Sequence, residues 1–422
     1  MATAATHTEP LARHDLLAHH DPKWKDLERL LSEGLMFDAV IDEIEGRRIR
    51  VGRTWLIDFA SCNYLGFDLD LEIMESINET VHRWGTHPSW SRLLGNPRLY
   101  LDIEERLTAL LGAQDTLVLP TITHIHMSVL PVLAAGGTIL LDRQSHKTIY
   151  DACVYARGKG ATVQRFHDLE ELEAELKAAP PGRLVASDGV NSMTGNAPDV
   201  KAMAHLCREY DATLYLDDAH GFGVLGERRA DETSPYGMRG NAIVRFAGET
   251  YENIVLVGGF SKAYSSLLSF LTMPPHWKNL LKVAAPPYLY SGPSPTASLA
   301  TVLAGLRVND ERGDAIRRRL YQVSDRVLSH IRSLGAYTPN TLGTPVIELP
   351  LAEGRDLTTV ERFLWDNGIY VTLAPYPMVP REQVGFRIQT TAIHTDDEVD
   401  ELNAVLTRLW ERGDLQSASS HT

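Results

Sequence analysis

Through the middle of this chain, short apolar runs alternate with amphipathic helical stretches, and no other feature restricts its fold so strongly. The runs fall at residues 116–119, 138–141, 162–166, 184–187, 213–217, 254–257 and 269–273. Between them lie segments of helical period, such as Leu169/Leu172/Leu176 and Met203/Leu206/Tyr210. Strands that alternate with helices must be joined by crossovers, which builds a mostly parallel, doubly wound sheet covered on both faces. Such a sheet binds its ligands beyond the carboxyl ends of its strands. The expectation is an α/β protein whose chemistry sits on one edge of that sheet.

The flanks read differently. At 422 residues the chain is long enough for more than one domain. Trp24, Leu27, Leu30 and Leu31 recur at helical spacing, so the stretch up to Gly46 reads as helical. Residues 48–51 and 55–59 flank Gly52-Arg53-Thr54 and read as a hairpin. A long helix starts near Ser294. Strands at 344–349, 369–373 and 385–389, a helix at 360–367, and a last helix opened by Thr395 and Asp396 then form a small α+β unit. The division expected is an N-terminal helical and hairpin segment over 1–60, a large domain over 61–300, a small C-terminal domain over 301–413, and a frayed polar tail over 414–422.

Charge and cysteine content exclude several functions. The net charge is −14, and no basic patch suggests a nucleic-acid partner. The run Arg317-Arg318-Arg319 reads as a solvated helix face. Cys62, Cys153 and Cys207 show no metal or disulfide spacing, and an odd number of cysteines fits a reducing cytoplasm. No run of apolar residues is long enough to span a membrane, and residues 1–20 lack the apolar core of a secretory signal. In Thr123-His124-Ile125-His126, alternate histidines on a strand would share a face. No third ligand is apparent and no metal is expected, so His124 or His126 reads as lining a pocket.

Two strand ends carry the chemistry. Asp217-Asp218-Ala219-His220 closes one apolar run, and Phe260-Ser261-Lys262 closes the next. A carboxylate can hold a pyridine nitrogen protonated, an imidazole can reach a phenolic oxygen, and a lysine can carry an aldehyde. That set suits pyridoxal 5'-phosphate. Each residue alone has a plainer use, Asp217 as a helix cap and His220 as a structural histidine. A lysine after an apolar strand is costly without a function.

Asp217-Asp218-Ala219-His220-Gly221-Phe222-Gly223-Val224-Leu225-Gly226 resembles the DDAHGxGVxG segment of the α-oxoamine synthases, which are fold-type I pyridoxal phosphate-dependent transferases. Further segments agree in order. They are Asn63-Tyr64-Leu65-Gly66, Ser91-Arg92-Leu93-Leu94-Gly95, Asp142-Arg143-Gln144-Ser145-His146, Ser187-Asp188-Gly189-Val190-Asn191-Ser192-Met193-Thr194-Gly195 and Phe386-Arg387-Ile388. The likeness spans roughly 55–410 and implies roles. His146 would stack on the pyridine face, Asp217 would hold its nitrogen, and His220 and Ser192 its phenolic oxygen. Lys262 would carry the cofactor and shuttle the α-proton. Arg387 would grip the substrate carboxylate, with Asn63 beside the substrate. The implied reaction joins an amino acid to an acyl thioester of coenzyme A or a carrier protein, in a homodimer with its site at the subunit interface.

The likeness breaks at the phosphate seat. Pro120-Thr121-Ile122-Thr123-His124 stands where the family has a Gly-aromatic pair. Gly259 replaces a Ser or Thr, and Gly292 a Thr donated by the neighbouring subunit. Thr121, Ile122, Thr123, Ser261 and helix N-terminal N–H groups are the expected replacements, with Gly259 and Gly292 admitting backbone close to the phosphate. Two other outcomes stay open. One is a different pyridoxal phosphate reaction on this fold, such as an aminotransferase, aldolase or carbon–carbon lyase. The other is a non-catalytic binding subunit.

Overall fold

The computed structural model describes residues 24–230 and 232–420. Thirteen strands among these residues form two sheets. In chain order they are β1 (Ile41–Glu45), β2 (Arg48–Val51), β3 (Thr54–Phe59), β4 (Asp115–Leu119), β5 (Thr138–Asp142), β6 (Thr162–Phe166), β7 (Arg183–Asp188), β8 (Ala212–Asp217), β9 (Ile254–Gly259), β10 (Ser269–Met273), β11 (Val346–Pro350), β12 (Ile369–Ala374) and β13 (Gly385–Gln389).

The large sheet has the order β4-β10-β9-β8-β7-β5-β6. Strands β6, β5, β7, β8 and β9 pair in parallel, and β10 runs against both β9 and β4. The sheet is buried on both faces, which is why these runs read as continuously apolar. Leu140, Val185, Leu214, Leu216 and Leu256 point into one core, while Ile139, Leu141, Leu184, Tyr215 and Val257 point into the other. With β4 aligned with the parallel set, the carboxyl ends of β4, β5, β7, β8 and β9 meet along one edge.

The second sheet, β1-β2-β3-β12-β13-β11, joins the N-terminal hairpin to the C-terminal strands through the parallel pair β3–β12. One face is apolar: Ile57, Ile347, Leu349, Phe386 and Ile388 pack with Val399, Leu402, Leu406 and Leu409 of helix Asp396–Glu411. That helix starts at a capping box between Thr395 and Glu398. The other face carries Thr372, Glu348, Arg387 and Gln389, by the period-two alternation of strands. Helix Thr296–Leu334, about 58 Å long at 1.5 Å per residue, ties the two halves together. Leu299, Val302 and Leu320 enter the core of the large sheet, and Val323, Val327 and Ile331 enter that of the small one.

Four expectations need correction. Among the described residues of the opening stretch, helix covers Lys25–Glu33, and Ile41–Glu45 is a strand that extends the hairpin. The reading of residues 1–20 lies outside the described residues. Arg317 is not solvated: it is 0% exposed, and donates to Asn309 Oδ1 at 2.6 Å and Asp314 Oδ1 at 2.5 Å. Successive helical residues turn by about 100°, so three in a row cannot share one face. Nor does the tail fray. Asp414 and Leu415 are buried, Gln416 N–H donates to Pro350 O at 3.1 Å, and Leu415 bridges Leu351. The tail thereby gives the end of edge strand β11 a partner. Finally, His124 and His126 lie on helix Ile122–Ala134, not on a strand. Thr121 caps that helix by accepting from His124 N–H at 3.2 Å.

Candidate active site

A cavity of about 170 Å³ opens at the carboxyl edge of the large sheet, lined among others by Thr121, Ile122, Thr123, His146, Asp188, Ser192, Asp217, His220, Ser261 and Lys262. Each arrives from a strand end. Thr121 to Thr123 follow β4, His146 follows β5, Asp188 ends β7, Asp217 ends β8, and Lys262 follows β9.

Asp217 is buried and doubly held. His126 donates from Nε2 to Oδ2 at 2.8 Å, Ala219 N–H donates to Oδ1 at 3.0 Å, and His126 Nδ1 meets the Tyr215 hydroxyl at 2.8 Å. Burial alone would raise the pKa of this carboxyl. The charge and hydrogen bond of His126, with Lys262 nearby, outweigh burial and hold it below the usual carboxylate range. Asp188 is pushed the other way, first by burial and then by the charge of Asp217. The site therefore holds one carboxylate anionic and its neighbour protonated more readily.

His220 bonds through Nδ1 to the Tyr64 hydroxyl at 2.7 Å, and that hydroxyl lies 3.2 Å from Gln389 Oε1. Burial, then the charges of Lys262 and Arg387, keep His220 well below the ordinary imidazole range, hence neutral. His146 caps helix Lys147–Gly158, its Nδ1 2.8 Å from the Thr148 hydroxyl and its backbone N–H on Asp188 Oδ1 at 2.9 Å. Desolvation against the cavity wall lowers its pKa, and Lys262 adds to that. The Lys262 side chain has no hydrogen-bond or ion-pair partner among the described residues; its carbonyl accepts from Ser265 N–H at 2.9 Å.

Two residues assigned from the sequence lie off the cavity. Asn63 donates to Asp68 Oδ2 at 3.0 Å, and Arg47 pairs with the same carboxylate. An ionised acceptor has captured its amide. Arg387 sits one residue behind the wall, its Nη1 donating to the Ser192 carbonyl. The glycine reading changes as well. A Cβ on Gly259 would lie 2.6 Å from Ile122 Cδ1, and one on Gly292 would meet only His87. Gly259 thus makes room for Ile122, which fills the space a hydroxyl side chain would need. Residues not assigned from sequence are His126, Asp188, Thr148, Tyr64 and Gln389. Neither His124 nor His126 lines the cavity, contrary to the sequence reading: His126 stands behind Asp217, a place that depends on the helix.

Pyridoxal phosphate fits these residues. An unpartnered lysine, an anionic aspartate and a neutral histidine converge on one cavity. Beside them the first turn of a 13-residue helix leaves the N–H groups of Ile122 and Thr123 without intrahelical acceptors. A doubly wound sheet with a small α+β domain and this constellation defines a fold-type I pyridoxal phosphate enzyme.

The comparisons narrow the class. The family described as Aminotransferase class I and II matches residues 55–406. The chain is 34% identical to the 8-amino-7-oxononanoate synthase of Chromohalobacter salexigens, over 82% of this chain and 87% of that one. It is 26% identical to the serine palmitoyltransferase of Sphingobacterium spiritivorum, over 93% and 96%. A solved serine palmitoyltransferase from Sphingomonas wittichii superposes with a TM-score of 0.82 at 24% identity, over 95% of this chain and 99% of that one, and shares the fold. The chain belongs to the aminotransferase class I and II family, in its α-oxoamine synthase branch. No helix among the described residues is long and apolar enough to cross a membrane.

Proposed function

We propose that the protein condenses an α-amino acid with an acyl thioester of coenzyme A or a carrier protein. The amino acid loses its carboxylate as carbon dioxide and gains the acyl group at the same carbon. One proton is taken up, the thiol leaves, and an α-aminoketone remains. The observation that carries this reading is the convergence of Lys262, Asp217, His146 and His220 on one cavity, in a chain of this branch.

When bound, pyridoxal phosphate supplies an electron-withdrawing ring conjugated to the substrate nitrogen. The protein's residues do the rest. Lys262 would hold the cofactor's aldehyde carbon through Nζ, and once free its amine would move the α-proton. A positioned general base of this kind gives about 10²–10⁴-fold. Asp217, kept anionic by His126, would hold the proton on the ring nitrogen. His220, engaged at Nδ1 by Tyr64, would meet the phenolic oxygen together with Ser192. His146, fixed by Thr148, would cover the ring. Thr121, Ile122, Thr123 and Ser261 would seat the phosphate, and Arg387 would receive the substrate carboxylate.

The protein acts as a homodimer with the site near the interface. Trp90, Leu94 and Tyr290 are exposed on adjoining segments joined by the 2.7 Å bond from Ser91 Oγ to Leu289 O. Such a patch favours association, and sedimentation at micromolar concentration tests it. The three free cysteines suit a reducing cytoplasm. The reaction is tested by thiol release from acyl thioesters, with and without amino acids. Release that requires both substrates and is lost in Lys262→Ala supports the reading. Consumption of an amino acid with a keto acid, and no need for thioester, refutes it.

A further inference from the structure

Opposite Arg387 stands a carboxyl group that the proposed reaction leaves unused. Glu348 on β11 is the direct register partner of Arg387 on β13, and Thr372 on β12 flanks the arginine on its other side. Directly opposed residues of antiparallel strands project from the same face with Cβ atoms about 5 Å apart. The neighbouring Ile347, Leu349, Phe386 and Ile388 point the other way, into the C-terminal core. Glu348 therefore stands beside Arg387 on the polar face, next to the loop that brings Ser192 to the cavity.

Glu348 is 1% exposed, and its side chain makes no hydrogen bond among the described residues. Its Oε1 is buried without a partner, and so is Nε of Arg387. Leaving either atom unpaired is costly. An acceptor without a donor beside a donor without an acceptor, on register partners, is the arrangement in which one bond satisfies both. Arg387 is also the one charge that acts on Glu348. It opposes burial, which still lifts the carboxyl to about 7. An apolar residue at 348 would be buried at no such cost.

We propose that Glu348 is a positioning residue for the substrate carboxylate: it accepts the Nε–H of Arg387, so that the guanidinium, held at Nη1 by the Ser192 carbonyl, offers its remaining N–H groups to the cavity. The carbonyl oxygen of the carboxyl can accept in either protonation state. Fixing the fork before the substrate arrives removes an ordering cost from binding. This inference rests on the reading in which Arg387 receives that carboxylate.

The test uses the cofactor-loaded enzyme and glycine, L-alanine and L-serine as probes. Binding is measured by calorimetry without thioester, and KM and kcat by thiol release. Glu348→Ala weakens amino-acid binding roughly tenfold, the size of one hydrogen bond to a charged group. The loss appears in Kd and KM rather than kcat. Glu348→Gln, which keeps an acceptor, recovers part of it. The double variant with Arg387→Ala binds no more weakly than Arg387→Ala alone, because Glu348 acts only through the arginine. Unchanged or tighter binding in Glu348→Ala overturns the proposal, as do losses that multiply in the double variant. Arg387→Ala binding like wild type, or wild type binding none of the probes, removes the carboxylate reading as well. Weak Arg387→Ala with normal Glu348→Ala removes only the role of Glu348.

Discussion

Replacing His126 by Phe separates the role of this buried residue from that of the cavity it stands behind. The ring is nearly conserved in shape, so packing changes little. What is lost is the 2.8 Å bond from Nε2 to Asp217 and the 2.8 Å contact of Nδ1 with the Tyr215 hydroxyl. A hydrogen bond to a charged group contributes about 1.5–3 kcal/mol, and a hydroxyl left buried costs about 1–3 kcal/mol. Unfolding of the cofactor-free protein in urea should therefore show a loss of about 2.5–6 kcal/mol. Asp217 then keeps only the Ala219 N–H. A weaker anion grips a protonated ring nitrogen less well, so pyridoxal phosphate affinity, read by fluorescence titration, should fall roughly tenfold or more. The pH dependence follows from the depressed pKa of Asp217. Its stabilising contribution is present above the ordinary carboxylate range and is lost as pH falls through its folded value. Removing His126 raises that folded value towards the unfolded one, so the part of the acid-induced loss of stability that Asp217 contributes should shrink. Unchanged cofactor affinity with an unchanged acid limb would refute the reasoning.

Gly259→Ser should destabilise by about 1–3 kcal/mol through overpacking against Ile122, and Ile122→Ala in the same chain should restore it, both read from urea midpoints. Thr395→Ala removes the side-chain half of the capping box and should cost about 1 kcal/mol in the same assay. Asp218 is pushed up to about 7 by burial, against backbone N–H bonds from Ile243 and Val190. Its folded form holds a proton that the unfolded chain has released, so stability should decline as pH rises from about 4 to about 7. Asp218→Asn should flatten that decline, and an equal slope in the variant would count against it.

The strands of the large sheet were legible because burial on both faces leaves near-continuous apolar runs of four to six residues, as in β8 and β9. The cavity residues were legible for a related reason: Asp217, His220 and Lys262 stand where such runs end. What failed was local. Thr-Ile-Thr-His-Ile-His has the composition of a strand, and only the cap formed by Thr121 decides for helix. Without that helix, His126 cannot be placed behind Asp217. Arg317 shows a limit of reading charge runs, since the third dimension puts one member of three inside. Gly259 shows another. A glycine can serve a neighbour's bulk as well as a ligand's approach, and the sequence does not say which.

The most direct test of the account is to reduce the cofactor-loaded protein with borohydride, digest it and locate the cofactor by mass spectrometry. The account predicts the reduced adduct on the peptide containing Lys262, and no adduct in Lys262→Ala. An adduct on another lysine, or none after incubation with pyridoxal phosphate, would contradict it.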